Sequence, residues 1–448
     1  MPAATLPPRR LRLGVFAPMA GHHIGGWRLP GAHPGGEDFS VMLRIAQQAE
    51  AACFDLFFLG DSLSVGPSST PSVAARFEPL TLLSALAAVT RHIGLAGTAT
   101  TSYGDPYTLA RQFASLDHIS GGRAAWNIVT SSNATAPYNY GRDGRADHQA
   151  RYDRAAEFVE VARGLWDSWE DGALLRDQAS GRFLDADRLH ALNHDGPHFS
   201  VRGPLNLSRM PQGHPVLIQA GSSKAGQDLA ATVGEVIFTA QESLDAAQDF
   251  YRGLKARIAA AGRDPDAIAI MPGVQPIIGA TPEAAAALYR DLQEAVSLPL
   301  ALQGLSLELG HDVTGWPLDA PLPPLPPTEG IKSRAELLAG IAAREGLTLR
   351  QLALRAAGAR GHCILVGTAD QVADRMAEWF DSGAADGFNI MPPYLPGGFD
   401  AVAAELVPRL QARGLAQTAY AGRTLRENLG LAAPANRHAA RRKQATGN

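Results

Sequence analysis

The chain has 448 residues, long for an ordinary domain but within reach of a single barrel carrying insertions. Hydrophobic residues make up 46% and charged residues 19%, a globular and not a disordered composition. A formal charge of −4, from 40 basic and 44 acidic residues, offers nothing to nucleic acid or to an anionic membrane.

Two cysteines, Cys53 and Cys363, lie in apolar or helical surroundings and fit a reducing compartment. The first residues lack an apolar core of signal-peptide length. No run of about 18 apolar residues occurs. The expected location is the cytoplasm.

Apolar, β-rich runs alternate with helical patterns. Leu11 to Ala17 reads as strand one, and Asp38 to Ala52 as a helix with Met42, Ile45, Ala46 and Ala49 on one side. Phe54 to Gly60 is strand two, Glu78 to Thr90 a helix, Ile93 to Ala99 strand three, Pro106 to His118 a helix and Ala124 to Val129 strand four. The fourth helix steps through Tyr152, Ala155, Val159, Ala162, Trp166 and Trp169, an apolar face suited to lying on a sheet. A polar stretch over 171–213 is too long for a simple connection and reads as an insertion with a hairpin around His194 to Phe199.

Pro215 to Ala220 is strand five, followed by a helix from Ser223 to Val233. Val236 to Thr239 is strand six, followed by a helix from Ser243 to Ala261. Ala267 to Ile278 is strand seven. Thr281-Pro282-Glu283 opens a helix with Thr at the cap and Pro in the first turn. A second insertion, 297–362, holds a proline-rich run and helical segments near 334–344 and 349–357. Thr368 to Gln371 is a capping box, and Gly387 to Met391 is strand eight, with Cys363 to Val366 as a rival strand. A last helix covers Phe399 to Arg413, and a basic, Ala-rich tail follows over 431–448. The expected architecture is an α/β fold, a (β/α)₈ TIM barrel with insertions after strands four and seven that cover the mouth, in one domain over 11–430.

Barrel chemistry sits at the carboxyl ends of the strands. Asp61 follows strand two and points into the mouth, or else caps a turn. Thr98, on strand three, offers a hydroxyl to a polar heteroaromatic ring, or simply reflects the β-propensity of threonine. Asn127 faces inward from strand four with an amide that donates and accepts. His148 and Tyr152 share one face of the fourth helix and suit a phosphate or a flavin edge; alternatively, the histidine caps and the tyrosine packs. Strand five runs through Gly221-Ser222-Ser223 straight into a helix, whose free N–H groups and dipole favour an anion; the plain alternative is a serine N-cap. No G-x-G-x-x-G follows a strand and no P-loop occurs. His190 and His194 have helical spacing but fall in a turn with Asn193, Asp195, Gly196 and Pro197, and no HExxH or cysteine cluster accompanies them, so no metal site is expected. His22 and His23 lie in a glycine-rich loop that reads equally as a substrate lid or as an ordinary loop.

Several longer stretches resemble a known family: Phe54 to Asp61, Tyr107 to Ser132, His148 to Phe158, Arg202 to Ser223, and Val366-Gly367-Thr368 through Gly387 to Ile390. Together they identify the chain as similar to the luciferase-like flavin monooxygenases, in the branch acting on nitrilotriacetate, dibenzothiophene sulfone, long alkanes and pristinamycin precursors. The resemblance runs from Leu11 to about Leu429. It implies an FMN site at the barrel mouth, with Asp61 near the isoalloxazine, Thr98 after strand three, the His148–Tyr152 pair, and Ser222 and Ser223 on the phosphate; Asn127 is a further candidate. It also implies reaction of reduced FMN with O₂ through a C4a-hydroperoxide; His148 is the candidate to give that peroxide a proton or a hydrogen bond. A separate NAD(P)H:FMN reductase, a small organic substrate and a homodimer or homotetramer complete the expectation. The loop 21–31 departs from the family wording, which leaves substrate preference open. The rival readings are a deazaflavin (F420)-dependent oxidoreductase of the same superfamily, a non-catalytic flavin-binding protein, and a metal-dependent barrel hydrolase.

Overall fold

The computed structural model describes residues 9–66, 69–131, 133–144, 146–221, 223–326 and 332–440. Its centre is a closed barrel of eight parallel strands. In chain order these are β1 (Arg12–Phe16), β2 (Leu56–Leu59), β3 (Gly94–Thr100), β4 (Ala124–Val129), β5 (Val216–Gln219), β6 (Val236–Thr239) and β7 (Ala269–Ile278). A further strand outside the barrel, β8 (Cys363–Gly367), precedes the last barrel strand, β9 (Gly387–Ile390). Each barrel strand pairs with its neighbour through to β7, β7 pairs with β9, and β9 closes on β1. β7 projects beyond the barrel, and there Val274–Ile278 pairs with β8. The rival strand of the sequence reading is therefore a ninth one, on the barrel's outside.

Alternation along each strand sorts the core. Phe58, Ala96, Ala125, Ile218, Val236 and Met271 meet inside, closed at the amino end by Leu425 and Leu429 of a short helix, Leu425–Leu429. Gly94, the first residue of β3, leaves room for Leu425: a Cβ there would stand 2.5 Å from its side chain. The intervening residues face out. Trp126 packs at 5.8 Å from both Phe113 and Phe158 and at 6.2 Å from Trp166.

The helices start where the sequence put side-chain caps. Asp38, Glu78, Asp105 and Asp147 accept first-turn N–H groups of α1 (Phe39–Ala51), α2 (Pro79–Ala87), α3 (Pro106–Ser120) and α4 (His148–Trp166). Ser223, Ser243 and Thr281 do so for α5 (Lys224–Val233), α6 (Leu244–Ala260) and α7 (Pro282–Glu294). Each cap satisfies donors that have no partner within the helix. α4 stops at Trp166; Trp169 lies past it and donates its indole N–H to Leu205 O at 2.7 Å.

The first long segment, between α4 and β5, does not cover the mouth as expected. Its hairpin (His194–Asp195 with Ser200–Val201) lies along the outside of α4, where Glu157 accepts from the N–H groups of His198 and Phe199 at 3.0 Å. Gln212 then reaches the amino end of β4, donating to Asp117 and to Ala124 O. The reason is topological. α4 runs from the mouth back to the amino end, so the chain that follows it starts on the far side of the barrel.

The second segment does reach the mouth. Helices α8 (Leu298–Leu309), α9 (Lys332–Glu345) and α10 (Leu349–Ala359) share a separate core around Leu305, Leu338, Ile341 and Leu352. They meet the β1 loop through Ile24 N–H to Ala357 O and touch β7 through Gln275 Nε2 to Gly358 O. α8 was not expected from the sequence; Pro299 and Gly304 obscure its pattern. Within the stretch read as a tail, Asn436 donates to Asp167 O and Trp169 O, and His438 stacks on His190 at 3.9 Å. Among the described residues no helix is long and apolar enough to cross a membrane.

Candidate active site

Four neighbouring strands, β2 to β5, deliver the sequence-predicted residues to one end of the barrel. Thr98 and Asn127 are register partners on β3 and β4. Both are buried, and Asn127 Nδ2 donates to Thr98 Oγ1 at 2.7 Å. In this arrangement Asn127 Oδ1 is buried with no hydrogen-bond partner. An acceptor in that state costs free energy until a donor arrives.

β5 hands over to α5 through Gly221 and Ser223. Ser223 Oγ accepts from Gly226 N–H at 3.2 Å and lies 3.5 Å from His148 Nε2. The His148 and Tyr152 rings sit 4.9 Å apart at the start of α4. Gly221 and Gly226 permit this junction. A Cβ on Gly221 would stand 2.9 Å from Gly226 Cα and 3.0 Å from Tyr152 Oη, so only glycine lets the helix start abut the strand end. A cleft of about 730 Å³ opens here, lined by His148, Tyr152, Ser223, Lys224, Arg257 and Glu336 among others. Ser222 lies outside the described residues.

Asp61 follows β2 and accepts from Ser62 N–H at 2.8 Å. Burial raises its carboxyl above the ordinary range, against that hydrogen bond and the charge of Arg76. The loop after β4 brings Tyr140 into reach, stacked on Tyr103 at 4.7 Å. Burial, then the Asp61 charge, pushes the Tyr140 phenol up.

A second wall escaped the sequence reading. Phe16 packs edge-on against His22 at 4.4 Å and against Phe238 at 6.0 Å, and Phe238 stacks on His362 at 5.2 Å. Burial, with the charge of Arg360 next, pushes His22 down to about 3, and burial likewise holds His362 well below the ordinary imidazole range. Both are neutral, so this wall is apolar and aromatic with polar ring edges. Phe16 and Phe238 sit near strand ends, as the other candidates do, but their apolar character reads as core. His362 ends the second insertion, where nothing local marks it.

Among the described residues no three His, Cys, Asp or Glu side chains gather to hold a metal. The arrangement is chemically specific in other ways. It offers an anion site at a helix start, an inward amide acceptor, an imidazole–phenol pair and a flat aromatic wall. That is the outfit for a phosphorylated planar heteroaromatic molecule.

The luciferase-like monooxygenase family model matches residues 12–386. N-acetyl-S-(2-succino)cysteine monooxygenase of Bacillus subtilis (strain 168) is 51% identical over 438 residues, covering 96% of this chain and 99% of the relative. Nitrilotriacetate monooxygenase component A of Aminobacter aminovorans is 46% identical over 443 residues, covering 96% and 98%. Among solved structures, a riboflavin lyase with modified FMN and its substrate riboflavin superposes with a TM-score of 0.84 at 32% identity, covering 94% of this chain and 96% of that one. The barrel and these likenesses agree: this chain belongs to the luciferase-like monooxygenase family.

Proposed function

We propose that this protein is the oxygenating component of a two-component system, which binds reduced FMN at the barrel mouth and oxygenates a small organic substrate with O₂. The observation that carries the reading is the junction of β5 and α5, where Ser223, His148 and Tyr152 converge on a helix start. The residues present fit the cofactor. Gly221 and Gly226 pack backbone to backbone and so bring the start of α5 up against the end of β5, and the buried, unpartnered Asn127 Oδ1 can accept from a donor such as a flavin ring N–H.

In this reading Ser223, Ser222 and the first N–H groups of α5 hold the phosphate, with Tyr152 beside them. Thr98, Asn127 and Asp61 orient the ring. Bound FMN in its reduced form supplies the electrons for O₂ activation. His148 holds a proton at Nε2 for delivery toward the reacting oxygen, work for which imidazole is suited near neutral pH. α8 to α10 and the β1 loop exclude water from the mouth. A separate NAD(P)H:FMN reductase supplies the flavin, a role supported by the relative named as component A and by the lack of a nicotinamide-binding motif in the sequence. One catalytic unit over 11–430, a homodimer or homotetramer and a cytoplasmic location belong to the same proposal.

The test is anaerobic titration of the purified protein with reduced FMN, then rapid mixing with oxygenated buffer. Saturable binding and a transient distinct from both reduced and oxidised flavin are expected. Absence of binding refutes the reading.

A further inference from the structure

We infer that the mouth carries a carboxylate-binding subsite built from Arg76 and Arg360, which selects an anionic substrate bearing carboxylate groups. The inference rests on the monooxygenase reading for the reaction, though not for the binding.

The observation is a cluster of guanidinium groups with fewer carboxylates than cations around it. Arg76 is half-buried and donates a hydrogen bond to Ser72 O. Its Nε is buried without a partner, and no carboxylate among the described residues forms an ion pair with it. Burial lowers its pKa, countered by the charge of Asp61 and aided by that of Arg360. Arg360 donates to Thr70 Oγ1 at 3.1 Å and lies 3.8 Å from Glu308, which also takes Arg334 at 3.7 Å. Arg360 and Arg334 thus share one carboxylate within ion-pair distance, and Arg76 has none. The neighbouring His22 and His362 are neutral and add no countercharge.

A partly buried cation with no ion-pair carboxylate and an unpartnered Nε is costly. The fold keeps one here, near a second cation and beside the aromatic wall of Phe16 and Phe238. An incoming anion removes the cost, and a carboxylate fits the planar guanidinium fork best. The cavity beside Arg76, which Ser72 and Phe77 also line, holds only about 30 Å³, the room of about one water. Entry therefore needs the short helix Pro71–Ala74 to yield, and that helix buries none of its side chains. Local opening is easiest where few side chains are buried.

The relatives' names agree in chemistry: a succino-cysteine conjugate and nitrilotriacetate both carry several carboxylates. The test uses N-acetyl-S-(2-succino)cysteine and its trimethyl ester as probes, titrated by calorimetry into the protein with and without saturating FMN. The acid is expected to bind about tenfold or more tightly than the ester, the size of a charge-assisted bond. Arg76→Gln and Arg360→Gln should each weaken the acid about tenfold and leave the ester and FMN unchanged. Arg360 is partly exposed, so its variant keeps the proposal falsifiable if Arg76→Gln does not fold. Equal binding of acid and ester, wild-type affinity of both variants for the acid, or no binding of the acid at millimolar concentration with FMN present each overturns the subsite. FMN titrated into the same preparations reports separately on the cofactor reading. Loss of flavin binding with the acid still bound refutes only the latter.

Discussion

Gly221→Ala tests the flavin cradle directly. The added Cβ would lie 2.5 Å from Gln219 Nε2, 2.9 Å from Gly226 Cα and 3.0 Å from Tyr152 Oη. Gln219 can swing only by giving up the bond its Oε1 accepts from Gly221 N–H at 2.8 Å. Gly226 Cα is backbone in the first turn of α5 and moves only if the helix start moves with it. Overpacking a well-filled site costs about 1–3 kcal/mol, and each 1.4 kcal/mol is about tenfold in affinity. If the strain falls on the helix start, FMN affinity drops by about 5- to 150-fold while the barrel stays folded. Gly253→Ala is the control. Gly253 sits inside α6 with nothing within 4 Å of a new Cβ, so the change should stabilise by about 0.5–1 kcal/mol and leave FMN binding alone. Fluorescence titration with FMN and thermal melts of both variants give the answer. Wild-type affinity and melting in Gly221→Ala would refute the idea that this junction cradles the phosphate.

Ser223→Ala removes the cap on Gly226 N–H and should cost about 1 kcal/mol of stability together with FMN affinity; an unchanged melt would show that the cap is redundant. His148→Asn should lower turnover by roughly 10²-fold with flavin affinity within a few-fold, and an equal loss in both would make the residue a binding group only. Asp117 is buried, and desolvation raises its carboxyl to about 6 from 3.8, opposed by bonds from Gln212 and Ala124 N–H. Its folded form therefore keeps a proton that the unfolded form releases, so its contribution is full below about 3.8 and is lost as pH rises to about 6. The shift is worth about 3 kcal/mol as an order of magnitude. Urea unfolding at pH 4 and 7 should show Asp117→Asn gaining that much on wild type at the higher pH; parallel pH dependence in the two proteins would contradict the assignment.

The sequence by itself determined the parts whose physics is local. Apolar runs specified the eight barrel strands, because a strand buried on both faces must be apolar throughout. Side-chain caps at Ser223 and Thr281 marked the starts of α5 and α7, because they satisfy N–H groups within one turn. Asp61, Thr98, Asn127 and Ser223 were legible for the same reason: once the strands are known, their carboxyl ends are known, and a parallel barrel sends them all to one mouth. His148 and Tyr152 followed from helical spacing.

Tertiary structure decided what depends on closure. The path of the first insertion was invisible because hydrophilic composition does not tell one end of a barrel from the other; the direction of α4 does. β8 lies outside the barrel because β7 overshoots its neighbours, a matter of strand length and register. The Phe16–Phe238–His362 wall and the company of Arg76 with Arg360 join residues from opposite ends of the chain. Charges far apart in sequence interact only after the backbone has folded, and it is burial, with the charge of Arg360 next, that holds His22 neutral.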